Sequence, residues 1–174
     1  LPNNDDLRCI KLSQSQYNNL SSKGDNWQKP STASWSTNCE EVYIPDDNFE
    51  KELISLGYDF KLDNYVLKSN IINITVLDVI NKDISSLEGI ASFENLITLR
   101  AGFNNITTLD VSALGKLNNL ELQRSSDLVS ITLPNNSSNL ESIDINESKI
   151  TSIDVSGLPN LKLLDLNTNP ITEL

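Results

Sequence analysis

The sequence predicts a solenoid of short stacked turns, with a parallel β-sheet along one side and a helical cap at its N-terminal end. One apolar pattern recurs five times between residues 74 and 174 at nearly constant spacing. The apolar residues are mostly Leu, Ile and Val, whereas Met is absent and aromatic residues make up only 6%. A short amphipathic segment with helix start and stop signals precedes the first copy. Thin, repeated aliphatic layers are typical of solenoids.

Each copy of the pattern contains two apolar triplets. The first reads Leu-x-x-Leu-x-Leu with aliphatic replacements, and its copies start 22, 21, 23 and 21 residues apart. Alternation within Leu-x-Leu predicts a short strand with both Leu side chains inward, and stacked turns place these strands side by side in a parallel sheet. The spacer after each second triplet is too short for a full helix, which predicts an extended or 3₁₀ back. The first triplets begin at Ile74, Leu96, Leu117, Leu140 and Leu161, and the second at Ile84, Ile106, Leu128, Ile150 and Ile171.

The cap prediction rests on residues 44–57. Asp46 or Asp47 can accept hydrogen bonds from the free N–H groups of a helix start, and Gly57 supplies a stop. A solenoid needs such a lid because an open end exposes a layer of leucines. The predicted apolar face of the helix comprises Phe49, Leu53, Ile54 and Leu56.

Over residues 71–174 the chain resembles leucine-rich-repeat proteins. Residues 106–112 (ITTLDVS) and 150–156 (ITSIDVS) look like the short surface repeats of Bacteroidetes and Flavobacteria proteins. Internalin-type repeats are the next nearest, through residues 84–90 (ISSLEGI). The resemblance implies a right-handed solenoid with the parallel sheet on its concave face, an extended or 3₁₀ convex side and an α-helical N-terminal cap. We expect a Cys- and Trp-containing segment at 1–41, the cap at 42–70 and about five repeats, the last incomplete, at 71–174.

An asparagine ladder is a further feature that the resemblance implies, because an Asn after each strand bonds to the backbone of the turn. We expect this ladder to be broken, since only two of the five equivalent positions are Asn. The third repeat also has one extra residue directly after this position, where we expect a bulge. The five positions hold Lys82, Asn104, Ser125, Ser148 and Asn169.

The N-terminal segment contains both cysteines, Cys9 and Cys39. A disulfide suits a small polar segment that buries little surface, and two unrelated free thiols are the alternative. A short helix is expected from Arg8 to Leu20. Trp27 and Trp35 are expected to cover the cap, with a small binding patch as the alternative.

The charge of the chain excludes several partners. The net charge is −11 with a pI of about 4.3, and Lys and Arg are not concentrated in any stretch. A nucleic-acid backbone or an anionic membrane surface would therefore be repelled. No run of apolar residues is long enough to predict membrane insertion by this segment. The chain begins without Met and stops within a repeat, so we expect part of a longer secreted or cell-surface protein.

Catalytic chemistry is poorly represented in the sequence. There is no His, which removes the usual general base and the commonest metal ligand. We therefore expect a protein that is not an enzyme and that has no cofactor or metal, although a pair of carboxylates can hydrolyse glycosides. Stacked Asp144 and Asp165 could share a cation or could simply repel each other.

The concave face carries the candidate ligand-binding residues. A solvated polar sheet face explains most of the outward positions. A solvated polar face does not explain Phe103 or the guanidinium groups of Arg100 and Arg124. An aromatic ring with two guanidinium groups is a plausible anchor for a protein or a glycan. The candidate residues are Arg100, Phe103, Glu121, Gln123, Arg124, Asp144, Glu147 and Asp165.

Two functions follow from these features. The first is an extracellular or cell-surface binding module that recognises a protein or glycan partner through its concave face. The alternative is a non-catalytic structural or targeting region of a larger secreted protein, whose catalytic domain would lie beyond residue 174. A ligand-array screen with Arg100→Glu plus Arg124→Glu tests the first function, and a glycosidase or peptidase domain downstream would favour the second.

Overall fold

The computed structural model describes residues 9–13, 15, 16, 34–36 and 39–173. Two α-helices, one 3₁₀ helix and eleven three-residue strands lie wholly within these residues, and Ser15 and Gln16 are also helical. The helices are α1 (Asp47–Ser55), α2 (Lys68–Ile71) and the 3₁₀ helix Ile90–Ser92. The strands are β1 (Cys9–Lys11), β2 (Ser34–Ser36), β3 (Glu41–Tyr43), β4 (Tyr65–Leu67), β5 (Val76–Asp78), β6 (Thr98–Arg100), β7 (Thr108–Asp110), β8 (Asn119–Glu121), β9 (Ser130–Thr132), β10 (Ser142–Asp144) and β11 (Leu163–Asp165).

The main sheet comprises five parallel strands in the order β11-β10-β8-β6-β5. Each strand comes from one turn of the chain and pairs with the equivalent strand of the next turn. The central residues Leu77, Leu99, Leu120 and Ile143 are completely buried, while the residues on either side of them face solvent in part or in full. This alternation confirms the predicted solenoid with a parallel sheet along one side.

The opposite side of the solenoid is built from the second apolar triplets. β7 pairs with β9 in a short parallel sheet, and Ser152 forms an isolated parallel bridge with Glu173. The first turn has the 3₁₀ helix Ile90–Ser92, and the later turns have hydrogen-bonded bends in its place. The predicted extended or 3₁₀ back is therefore present.

A single hydrophobic core runs through the stacked turns. It extends from Val42, before the repeats, to Leu158 near the last turn. In the last described turn, Leu161, Leu164 and Leu166 are only partly buried against this core. Burial therefore follows the stacking, since a turn with neighbours on both sides encloses its leucines and a turn with one neighbour does so in part.

Helix α1 occupies most of the predicted helical segment. Asp46 is its N-cap and accepts hydrogen bonds from the backbone N–H groups of Asn48 and Phe49 at 3.0 and 2.9 Å. At the other end, the N–H of Gly57 (φ +80°) donates to Ile54 and that of Tyr58 to Leu53, which is a Schellman motif.

The buried face of α1 differs in part from the prediction. Phe49 and Leu53 are fully buried, but Leu56 is 43% exposed, so its place in the apolar face was wrong. Leu56 is the C-cap residue, where the chain already leaves the helix. Glu50 is buried instead, and its carboxylate accepts the N–H groups of residues 63–65 at 2.8 to 3.1 Å.

Helix α1 is joined to the first turn by polar and aromatic contacts. The second carboxylate oxygen of Asp46 accepts the N–H groups of Ser85 and Ser86 at 2.8 and 3.0 Å. The rings of Phe49 and Phe93 stack with their centroids 6.2 Å apart. These contacts place α1 against the start of the solenoid; that it serves as the family's helical cap stays a prediction.

The N-terminal segment has its own short sheet. β1 pairs with β2 in parallel, and Cys9 and Cys39 form a disulfide. The predicted disulfide is therefore present. The helix predicted from Arg8 to Leu20 is wrong at Cys9–Lys11, which form β1, whereas Ser15 and Gln16 are helical as predicted. Most of that helix, and Trp27, lie outside the described residues. Trp35 lies in β2.

The third turn absorbs its extra residue without a bulge in the sheet. The N–H of Leu128 donates to the Ser125 carbonyl at 2.9 Å and closes a turn between the two triplets. The expected distortion is thus confined to the connection, and the strands on both sides keep their register.

Within the described part of the chain, no helix is long and apolar enough to cross a membrane.

Candidate ligand-binding face

The outward side of the main sheet, with the three residues that follow each strand, is called the sheet face below. Parallel hydrogen bonding continues past the strand ends, since the N–H of Phe103 donates to the Gln123 carbonyl and that of Arg124 to the Asn146 carbonyl. The third residue after each strand lies in the left-handed region, with φ between 54° and 61°. A non-glycine residue holds this conformation at a cost of about 1 kcal/mol or more, so the surrounding bonds must impose it. These residues are Asn81, Phe103, Arg124, Glu147 and Thr168.

Phe103, Arg124 and Glu147 form one continuous row across three turns. The Arg124 guanidinium carbon lies 5.3 Å from the centre of the Phe103 ring, within the range of a cation–π contact. Its Nε donates to Glu147 Oε1 at 3.1 Å. Phe103 is 41% exposed, so one ring face is held while much of the side chain meets solvent. The sequence-predicted anchor residues Phe103 and Arg124 are therefore in contact.

Arg100 lies in a separate row, between two carboxylates. Its Nε donates to Glu121 Oε1 at 3.2 Å, and its Nη1 lies 3.8 Å from Asp78 Oδ2. The sequence grouped Arg100 with Arg124 and Phe103 as one anchor in acidic surroundings. Both guanidinium groups form ion pairs with carboxylates of neighbouring turns, so a partner would meet ion pairs here and no unopposed positive patch.

Glu121, Asp144 and Asp165 continue the Arg100 row toward the last turn. Asp144 is the direct cross-strand partner of both Glu121 and Asp165. Burial raises the pKa of the Asp144 carboxyl, and the charges of Asp165 and Glu121 raise it further, against a hydrogen bond from Asn146 N–H that lowers it. Among the described residues, Asp144 and Asp165 have no ion pair with Lys or Arg. This part of the sheet face is therefore an acidic stripe.

Gln123 is placed by a glycine of the preceding turn. Its carbonyl and side-chain oxygens lie 2.6 and 2.9 Å from the point where a Cβ of Gly102 would be, so no larger residue fits there without a shift. Gln123 Oε1 is enclosed and has no hydrogen-bond partner. Gln123 thus fills the space that a side chain at Gly102 would occupy, and its part in ligand binding stays a prediction.

The asparagine ladder beneath the sheet face is interrupted as expected. The Asn104 amide donates to the carbonyls of Val79 and Ala101 at 2.8 and 2.9 Å, and Asn169 repeats this arrangement three turns later. The hydroxyls of Ser125 and Ser148 are buried and have no partner. The two serines that interrupt the ladder therefore directly follow Arg124 and Glu147 in the sequence.

A second series of asparagines was missed by the sequence reading. Asn95, Asn139 and Asn160 each donate to a carbonyl of the preceding turn at 2.7 to 2.8 Å. Each comes directly before the first Leu of a repeat, so the Asn-Leu pairs at 95, 139 and 160 were the signal that could have revealed it. This series ties successive turns together on the side where the chain enters each strand.

The carboxylates of the sheet face are not arranged around one point. Over the described residues, no group of three or more His, Cys, Asp or Glu side chains is arranged to hold a metal ion. The acidic stripe brings carboxylates into one row without closing a coordination shell around a point. What the sheet face offers is an exposed aromatic ring, two ion-paired guanidinium groups and an acidic stripe.

Comparison with known proteins identifies the fold. No family model matches the chain. Internalin J of Listeria monocytogenes is 33% identical over 70 residues, which is 40% of this chain and 8% of internalin J. The functional domain of InlJ from the same organism superposes with a TM-score of 0.54 at 24% identity, over 78% of this chain and 35% of that one. The internalin InlF gives a TM-score of 0.55 at 27% identity, over 73% of this chain and 37% of that one.

The solenoid is a leucine-rich-repeat fold. Internalin-type repeats, the second resemblance drawn from the sequence, are the ones to which the chain is similar, while the Bacteroidetes-type resemblance stays a prediction. The chain spans less than a tenth of internalin J and about a third of each solved structure. The InlJ domain includes a cysteine ladder. Residues 71–174 contain no Cys, so the repeats of this chain cannot form a cysteine ladder.

Proposed function

We propose that this chain is an extracellular or cell-surface binding module that holds a protein or glycan partner on its sheet face. The observation that carries the proposal is Phe103, an aromatic side chain left 41% exposed in the row of charged side chains. Its backbone is fixed by the parallel hydrogen bonding of the sheet, so little conformational entropy is lost when a partner covers it. Rigid aromatic residues with arginine neighbours are enriched among interface residues that contribute most to affinity.

The charged neighbours of Phe103 give the face its selectivity. Arg124 is oriented by the ring and by Glu147, and Arg100 is oriented by Glu121 and Asp78. Oriented ion pairs contribute more to the choice of partner and to the rate of encounter than to the strength of binding. The partner is therefore expected to gain affinity from Phe103 and specificity from the arginine pairs.

Two further observations support a secreted or surface location for this module. The Cys9–Cys39 disulfide suits an oxidising compartment, because cytosolic thiols are kept reduced. The similarity to internalins over the repeats also supports a binding module. Both point to a surface-exposed protein, and neither identifies the partner.

The proposal is tested by screening the chain on arrays of extracellular proteins and glycans, and then measuring each hit with variants. Phe103→Ala is expected to weaken a genuine hit about thirtyfold, as for a central interface aromatic. Val129→Ala is the matched control, since Val129 is 50% exposed and precedes β9 on the opposite side. Hits that respond neither to Phe103→Ala nor to the double variant Arg100→Glu, Arg124→Glu would show that binding does not use the sheet face.

A further inference from the structure

Charged side chains of successive turns meet their counter-charges at five places on the described surface. Contacts of this kind appear on the sheet face and beside it, with nitrogen–oxygen distances from 2.8 to 3.8 Å. Stacking therefore sets opposite charges against each other in neighbouring turns. The pairs are Asp78–Arg100, Arg100–Glu121, Arg124–Glu147, Asp127–Lys149 and Glu141–Lys162.

The acidic stripe of Glu121, Asp144 and Asp165 departs from this arrangement. Like charges directly opposite each other on paired strands destabilise a sheet. Glu121 is compensated by Arg100, but within the described residues no basic side chain pairs with Asp144 or Asp165. The fold thus has an uncompensated pair of carboxylates on the same face as the exposed Phe103, and cationic groups supplied from outside would relieve their repulsion.

We propose that the partner held on the sheet face is a protein segment with lysine or arginine side chains, which lie over Glu121, Asp144 and Asp165 while an apolar side chain of the same segment covers Phe103. This inference rests on the proposed function and adds the chemistry of the partner. It uses two separate features of one face, an apolar anchor and a charge that needs its complement.

The spacing of these features suits a short extended segment. Phe103 lies three residues beyond the Arg100 position and two strands away from Asp144. With about 3.3 Å per residue along a strand and about 4.8 Å between strands, each offset is about 10 Å. An extended segment of about five residues spans the diagonal, so one partner segment reaches both features.

Other occupants suit the face less well. Asp144 lies between the like charges of Glu121 and Asp165, and a cationic side chain would relieve this repulsion, whereas an anionic glycan or nucleic acid would increase it. A lone metal ion would need a closed ligand set, and the described carboxylates do not provide one. A protein segment supplies both charge and apolar surface.

The experiment selects binders to the intact chain from a displayed library of random linear peptides, in the presence of EDTA. Selected peptides are expected to be enriched in Lys and Arg together with an aromatic or aliphatic residue. Asp144→Asn combined with Asp165→Asn is expected to lower their affinity about tenfold, and raising the salt from about 50 to about 500 mM is expected to do the same. Phe103→Ala is expected to lower it about thirtyfold.

The matched control is Asp110→Asn combined with Asp154→Asn. These two carboxylates lie on the opposite side, and each accepts a hydrogen bond from the backbone two residues later, as Asp144 and Asp165 do. The control changes the net charge equally and disturbs the same kind of turn. It is expected to leave affinity within about twofold, since distant charges are largely screened.

The possible results separate the inference from the proposed function. Peptides that lose affinity with Phe103→Ala but tolerate Asp144→Asn, Asp165→Asn would overturn the inference and leave the proposed function standing. Peptides that respond to none of these changes would count against both. Equal losses with the opposite-side control would reduce the effect to net charge and overturn the inference. A selection that yields no binder, or binders only when Ca²⁺ replaces EDTA, would also overturn it.

Discussion

Replacing Asn104 by Ser tests whether the asparagine ladder stabilises the turns on which the sheet face is built. Asn104 is 97% buried, and its side-chain oxygen accepts the N–H groups of Lys82 and Ile84 at 3.0 and 3.1 Å. Its amide nitrogen donates to the carbonyls of Val79 and Ala101. Serine is too short to replace these bonds, because the Ser125 hydroxyl at the equivalent position has no partner.

The magnitude follows from these four hydrogen bonds. Each net backbone hydrogen bond contributes about 1 kcal/mol, and water entering the space would restore part of the loss. We therefore expect Asn104→Ser to lower the free energy of unfolding by about 2–4 kcal/mol, as measured by urea titration followed by circular dichroism. The amides of Lys82 and Ile84 should also exchange with deuterium faster, because their acceptor is gone.

The opposite substitution at the next turn provides the matched control. Ser125→Asn introduces the ladder amide where the preceding turn is regular, so it is expected to raise the free energy of unfolding by about 1 kcal/mol. A change of less than about 0.5 kcal/mol for Asn104→Ser, with unchanged exchange at Lys82 and Ile84, would refute the assigned role of the ladder. Repeat proteins can unfold in segments, and a urea titration followed by circular dichroism reports only the overall transition. The exchange of single amides shows which turn has lost stability.

Two further predictions concern single positions. Gly89→Ala is expected to lower the free energy of unfolding by more than about 2 kcal/mol, because Gly89 has φ +95° and an added Cβ would lie 2.6 Å from a carbonyl oxygen of β3. In the same urea titration the control Gly115→Ala is expected to change it by less than about 0.5 kcal/mol, since nothing lies within 4 Å of an added Cβ there. Asp144→Asn is expected to change the pH profile of stability. Asp144 faces Glu121 and Asp165, and its raised pKa means that the folded chain binds the Asp144 proton more readily than the unfolded chain does. This group therefore makes stability fall as pH rises through the folded-state pKa. Unfolding titrations of the variant should lack that fall, and a variant that keeps it would contradict the assignment.

The repeats were the part of the fold that sequence could predict best. Leu77, Leu99 and Leu120 are paired in register because every copy repeats the same local pattern, which is an alternation of inward and outward residues followed by a turn. Stacking identical turns leaves few other arrangements that bury these side chains. The outward positions could be predicted from the same pattern. It placed Phe103 and Arg124 at equivalent positions of adjacent turns, where they are in contact.

Long-range contacts in the non-repeated part of the chain could not be predicted in the same way. Cys9–Lys11 pairs with a strand more than twenty residues away, so local propensity favoured a helix there wrongly. Glu50 was not part of the predicted apolar face of α1, yet it is buried and its carboxylate accepts three N–H groups of a loop that the helical pattern does not reveal. Both errors arise where a partner outside the local pattern determines the structure.

The distribution of the ladder under the sheet face has a consequence for recognition. Asn104 fixes the turn directly behind Phe103 through its hydrogen bonds to the backbone, whereas Ser125 and Ser148 leave the turns behind Arg124 and Glu147 without them. The apolar anchor therefore rests on the better-braced part of the face, where rigidity reduces the entropy lost on binding. The ion-paired part rests on the less braced turns, where side chains can rearrange around a partner at smaller cost. Under the proposed function, affinity and adaptability are therefore expected from neighbouring turns of the same sheet. The amides behind Phe103 should then exchange more slowly than those behind Arg124.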